Sequence, residues 1–222
     1  MRAADLLLAL VRDPRSLVEA HDGADLAEQA PRLLGLITLS AAALGFSFGQ
    51  HHGLVQACFS ALKMPLVFLL PPLFGVPALA ALCDALGAPT RPSRAALVGL
   101  VAVARVALFA LAFAPVTWTF ATAADDYPFT ALTAAGTLSV AGMLGLGSFQ
   151  LLAPRLSQAA WTTRFGIFLG TVAIWGALTA QGGWMLRPFI LKPELTPELF
   201  EPPRSDIFTE LGDRLDGRAR LD

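Results

Sequence analysis

Residues 54–86 read LVQACFSALKMPLVFLLPPLFGVPALAALCDAL. An amphipathic segment, LVQACFSAL, leads to Lys63, and from Met64 to Cys83 the chain carries no charge until Asp84. At 1.5 Å per residue such a run is long enough to cross a hydrocarbon core of about 30 Å. It also holds Pro65, Pro71, Pro72 and Pro77 with Gly75. Each interior proline removes a ladder hydrogen bond, so the expectation is a spanning helix that is kinked or locally unwound, its break covered by protein or by a wet cavity.

On either side of this stretch the pattern repeats. Apolar runs occupy residues 33–50, 95–116, about 130–152 and 165–186, which makes five spans in all. Of the 222 residues 55% are hydrophobic and 15% charged, against about 25% charged in soluble domains, and a chain so composed needs lipid as its solvent. The fold class is therefore all-α, a polytopic transmembrane helix bundle. Ahead of it, Leu6, Leu7, Leu10, Val11, Leu17 and Val18 recur at helical spacing, with an interruption at Pro14. They fit either an amphipathic helix on the membrane surface or a solvated helix docked on the bundle. Three regions follow: an N-terminal amphipathic or interfacial segment (1–32), a five-span domain (33–186) and a polar C-terminal tail (187–222), with a short helix expected over 205–215.

Small residues set the expected contacts. Gly45-Phe-Ser-Phe-Gly49 in the first span would let another helix approach closely, and Ala135 with Ser139, Ala141 with Gly145, Gly166 with Gly170, and Ala173 with Ala177 read as packing faces. Trp118, Trp161 and Trp184 fall near span ends, where indoles favour the interface. With the N-terminus cytoplasmic, Arg2, Arg12, Arg15, Arg32, Arg91, Arg94, Arg155 and Arg164 all lie inside, and Asp125 and Asp126 outside. That distribution obeys the positive-inside rule.

The sequence shows none of the residue patterns of a membrane-embedded hydrolase: no H-E-x-x-H helix, no nucleophile with a base, no pair of carboxylates sharing a site. His51 and His52 diverge as neighbours and lack a third ligand at metal spacing. Gly145-Leu-Gly147 has no strand before it and reads as helix packing. Cys58 and Cys83 lie too far apart along one helix to form a disulfide. Basic residues are not gathered with aromatics on one face, and net charge is −1, so nucleic acid is excluded as a partner. No catalytic residue, cofactor or metal is expected.

A few polar residues stand out because lipid makes them costly. Asp84 and Arg105 lie inside or nearly inside apolar sequence and are candidates for one intramembrane network, with roughly 10 Å between their levels on antiparallel helices. Lys63 is expected to snorkel to the headgroups. Gln181, Trp184, Arg187 and Phe189, in QGGWMLRPF, are candidates for an interface or docking site at the end of the last span, with Pro188 ending the helix and Phe189 packing back.

The run from Leu54 to Leu86, Tyr127-Pro128-Phe129 ahead of the fourth span, and GGWMLRPF together resemble a group of uncharacterised bacterial multi-pass membrane proteins, some of them labelled actin-binding. The likeness covers most of the chain from Leu33 to Phe208, and its tryptophan–arginine–proline–phenylalanine cluster is the most specific part. More distantly, the arrangement of five spans, with a lysine and a proline at the entry to span two, resembles the Yip family, membrane-organising proteins associated with Rab GTPases. The resemblance implies a bacterial inner-membrane location and supplies no catalytic residues; Arg105 departs from the plain apolar third span of the bacterial group. The expected activity is that of a non-enzymatic scaffold or accessory subunit, whose partners are the bilayer and either another protein or a second copy. The alternative is a small channel or transporter using the proline-rich second span with Asp84 and Arg105, and a third reading is an enzyme acting on lipid.

An odd number of spans puts the two termini on opposite sides. In a chain freed of Cys58 and Cys83, single cysteines placed at Ala3 and at Asp222 should differ in labelling by a membrane-impermeant thiol reagent in intact cells. Labelling of both, or of neither, refutes the five-span topology.

Overall fold

The computed structural model describes residues 3–19, 26–87, 90–123, 127–146, 161–186, 189 and 199. Among these, all regular structure is helical: α1 (Ala3–Arg12), α2 (Pro14–Glu19), α3 (Leu26–Gly49), α4 (Leu54–Ala85), α5 (Pro92–Ala123), α6 (Tyr127–Leu146) and α7 (Trp161–Met185). Four of them, α3, α4, α5 and α7, are long and apolar enough to cross a membrane, and the apolar part of α6, Leu132–Gly145, is shorter. The chain is thus a membrane-embedded helical bundle of about five spans.

The helices outrun the apolar runs that define them. α3 starts ahead of Leu33 and includes Pro31, α5 extends past both ends of residues 95–116, and α7 begins before Phe165. Hydropathy marks what must avoid water, whereas backbone hydrogen bonding continues until a cap or breaker stops it. The expected end of the fourth span, near Leu152, lies outside the described residues.

α4 corrects the expectation of a locally unwound span: it runs without interruption from Leu54 to Ala85 through all four prolines. Three of them, Pro65, Pro71 and Pro72, are buried. These three therefore face protein, the condition under which a proline is tolerated in a membrane helix, while Pro77 is exposed.

α3, α4 and α5 pack on one another at the centre, with α6 laid on α5 and α7 on α4. Close approach at glycines fixes the directions. A Cβ added to Gly45 would collide with the Ser60 carbonyl, and one added to Gly49 with the Ala57 backbone, so the Gly45–Gly49 step meets α4 antiparallel, as its spacing implied. Along α7, Gly166 faces Leu86, Gly170 faces Leu82, Gly75 of α4 faces Trp175, and Gly182 faces Leu70. This again is an antiparallel register. The start of α3 and the end of α7 consequently lie at opposite ends of the bundle.

Of the small-residue pairs, Gly145 is pressed against Val106 and Gly170 against Leu82, while Ala135, Ser139, Ala173 and Ala177 are exposed. At the N-terminus α1 and α2 pack on α5, burying Leu6, Leu10, Leu17 and Val18 and leaving Leu7, Leu8 and Val11 exposed. The chain breaks between these two helices at Asp13, and Pro14 takes the first position of α2, where its missing N–H costs nothing.

Gly45→Leu should lower stability in detergent by about 1–3 kcal/mol or more, the usual cost of overpacking. Gly136→Leu, where an added Cβ meets nothing within 4 Å, should leave the unfolding midpoint near wild type. Equal midpoints for the two variants would contradict the α3–α4 contact.

Candidate functional site

One face of α4, just outside the uncharged run, is polar and buried. Gln56, Ser60 and Lys63 recur at helical spacing with exposures of 0%, 0% and 1%. This corrects the reading of Lys63 as a side chain snorkelling to the headgroups. The sequence suggested that Lys63 begins the span, but α4 begins at Leu54. Lys63 therefore enters the protein in the third turn of an established helix, covered by neighbouring chain rather than by lipid.

The cover includes Phe189. Its carbonyl accepts the Ser60 hydroxyl at 2.6 Å, and its ring centroid lies 5.2 Å from Lys63 Nζ, within cation–π range. Several other hydroxyls in the spans behave differently. Ser47, Thr171 and Thr179 each turn back onto a carbonyl one turn earlier in their own helix, the usual way to satisfy a hydroxyl in lipid. Ser60 instead donates to a residue 129 positions away. The antiparallel register of α7 on α4 explains why Phe189 arrives there: from Gly182 opposite Leu70, the chain continues toward Lys63 and Ser60.

Gln181 and Trp184 are half-buried, and the Gln181 Oε1 atom is buried with no hydrogen-bond partner among the described residues. Leu186 and Phe189 pack against the core, so Phe189 packs back as the proline ahead of it suggested. Arg187, the expected helix over 205–215 and the tail after residue 186, apart from Phe189 and Leu199, lie outside the described residues.

The structure does not bring Asp84 and Arg105 into an ion pair. Asp84 is exposed in the last turn of α4. Arg105 stands about 20 Å along α5 from its start at Pro92, because that helix begins earlier than its apolar run and carries the arginine farther from the α4–α5 turn. The Arg105 guanidinium lies over the Phe109 ring at 5.6 Å, one turn along the same helix. A described ion pair, Arg32 with Glu28 at 3.2 Å, is on the exposed side of α3. At the other end of that helix His51 Nδ1 lies 3.2 Å from the Ala121 carbonyl of α5.

Sequence reasoning missed Ser60 and Gln56, which resemble ordinary members of an amphipathic segment, and it missed Trp175. The Trp175 indole is buried in a notch floored by Gly75 and Gly99, where an added Cβ would come within 2.5 Å and 3.1 Å of its ring. Its signal was available, a tryptophan in mid-span opposite glycines, but only knowledge of the register pairs them. A separate apolar groove of about 570 Å³ opens between α3 and α5, flanked by Phe46 and Trp118.

No protein-family model, no curated protein and no solved structure matches this chain.

Asp84→Asn and Arg105→Gln should change stability independently, with the double variant equal to the sum within about 0.5 kcal/mol. A larger coupling, measured by unfolding in detergent, would restore the pair.

Proposed function

We propose that this chain is a non-enzymatic integral membrane protein that serves as a scaffold or accessory subunit of a membrane assembly, in the inner membrane of a bacterium with its N-terminus cytoplasmic. The observation that carries the reading is the outer face of α7. Ala173, Gly176, Ala177 and Ala180 are all exposed there, and the space beside Gly176 is open. Gly45 and Gly49 of α3, Gly75 of α4 and Gly99 of α5 are each filled by a neighbour, while Gly35, near the start of α3, is open as Gly176 is. Small residues bring no advantage against lipid tails, but they admit a second helix to backbone contact.

α6 offers a like face at Gly136 and Ser139, so the two flanking helices give this domain two outward surfaces. The partner is another membrane protein or a second copy. The arginine distribution supports the orientation, and the resemblance of residues 54–86 and GGWMLRPF to a bacterial multi-pass group, and distantly to the Yip family, points the same way. The transporter reading drew on a broken second span and a paired Asp84 and Arg105. With α4 continuous and the pair absent, it has less to support it than the scaffold reading.

Ala177→Phe combined with Gly176→Leu should reduce the yield of any co-purifying assembly in mild detergent severalfold while leaving the unfolding midpoint unchanged. Recovery of the same assembly from wild type and variant would refute α7 as the contact. An ion or solute flux into liposomes that depends on the purified chain would refute the scaffold reading itself.

A further inference from the structure

α1 carries two apolar sectors where a helix docked on a bundle needs one. Leu6 and Leu10 are buried, while Leu7, Leu8 and Val11 stand 38%, 53% and 48% exposed. At 3.6 residues per turn the two sectors are centred roughly 130° apart, and the exposed charged residues Asp5 and Arg12 occupy a third. α2 lacks the second apolar sector. It buries Leu17 and Val18 and turns Arg15 and Ser16 outward, the pattern of a helix with protein on one side and water on the other.

Depth decides what meets the extra sector of α1. Leu6, Leu10, Leu17 and Val18 join one continuous core whose α5 members, from Leu97 to Ala114, all fall inside the apolar run 95–116. Both short helices pack on α5, so they dock on a spanning helix. α2 ends at Glu19 and α3 starts at Leu26, and the seven residues between those positions reach about 25 Å at most. That tether keeps α2 toward the end of the bundle where α3 begins. Beside a span at that level the medium is lipid, in which exposed apolar side chains need no further partner. A short helix with protein at one side, apolar residues on a second and charges on a third suits the plane of the interface.

We propose that α1 is an in-plane membrane helix of the leaflet on the side where α3 begins, with Leu7, Leu8 and Val11 inserted among the acyl chains and Asp5 and Arg12 at the headgroups. The break between α1 and α2 marks the return of the chain to the polar surface, since Arg12, Asp13, Arg15 and Ser16 are all exposed. This lipid contact goes beyond the scaffold reading and does not rest on it, because it uses neither the α6 nor the α7 outer face. It gives the chain an attachment to one leaflet alone, and such attachments respond to the packing and curvature of that leaflet.

The test uses the full chain in phospholipid nanodiscs, freed of Cys58 and Cys83, with a single nitroxide label at Leu8, Val11, Arg12 or Arg15. Paramagnetic resonance reads the accessibility of each label to oxygen, which concentrates among acyl chains, and to a polar nickel chelate, which stays in water. The oxygen-to-nickel ratio should be severalfold higher at Leu8 and Val11 than at Arg12 and Arg15. Equal ratios at the four positions, or a ratio at Leu8 below that at Arg12, overturn the insertion. If the chain without Cys83, a buried residue, does not fold, a benzophenone amino acid in place of Leu8 carries the test with both cysteines kept. Light should then attach phospholipid to the chain, read as an added lipid mass. Attachment to a second copy or to another protein in its stead, or no lipid adduct, overturns the proposal.

Discussion

At Gly45 and Gly49 the backbone of α3 lies directly against the backbone of α4, with no room for a side chain at either glycine. The rest of the bundle depends on this approach. In lipid the burial of apolar surface does not drive helices together, because the tails are as apolar as the side chains, so association rests on van der Waals fit. A helix pair in backbone contact makes the densest fit available, and α5 then packs on both members. The third helix repeats the device: Gly99 of α5 and Gly75 of α4 together form the notch that Trp175 fills, which brings α7 to the outside of α4.

α4 therefore bears two demands along its length. Toward α3 it must be narrow, which Ala57 and Ser60 provide; toward α7 it must present a notch, which Gly75 provides. Its prolines are compatible with both because three of the four are turned inward. The register that Trp175 sets also decides where the chain goes after α7 ends. Phe189 lands beside Ser60 and Lys63 because α7 descends the same surface of α4 without slipping, from Leu86 to Leu70. A contact between residues 60 and 189 thus follows from glycine positions in the middle of the membrane.

Much of the fold was legible because lipid imposes it. A run such as Met64–Cys83 has one structural solution in hydrocarbon, and the Gly45–Gly49 spacing has one natural use. What was not legible concerned direction around each helix. Ala141 and Gly145 are no different in sequence from Ala173 and Ala177, yet Gly145 meets α5 and the latter pair faces outward. A four-residue spacing shows that a face exists without saying which neighbour it meets. The site fared similarly: Lys63 and Phe189 were both singled out, but for separate roles. Their meeting depends on a register between helices distant in the chain, and hydropathy carries no information about it. Asp84 and Arg105 failed for a related reason. Each is costly in lipid, and the simple assumption that two costly charges relieve one another ignored how far ahead of its apolar run α5 begins.

Two cations of the membrane region, Arg105 and Lys63, are accommodated in different ways. Arg105 lies over Phe109, one turn away on its own helix; that contact forms with the helix and persists whatever the neighbours do, as a structural arrangement should. Lys63 lies under Phe189, a residue that belongs to another segment, outside any helix, and reaches it only once α7 has packed on α4. The first contact is local and fixed by helical geometry, while the second is long-range and depends on the register of α7 on α4.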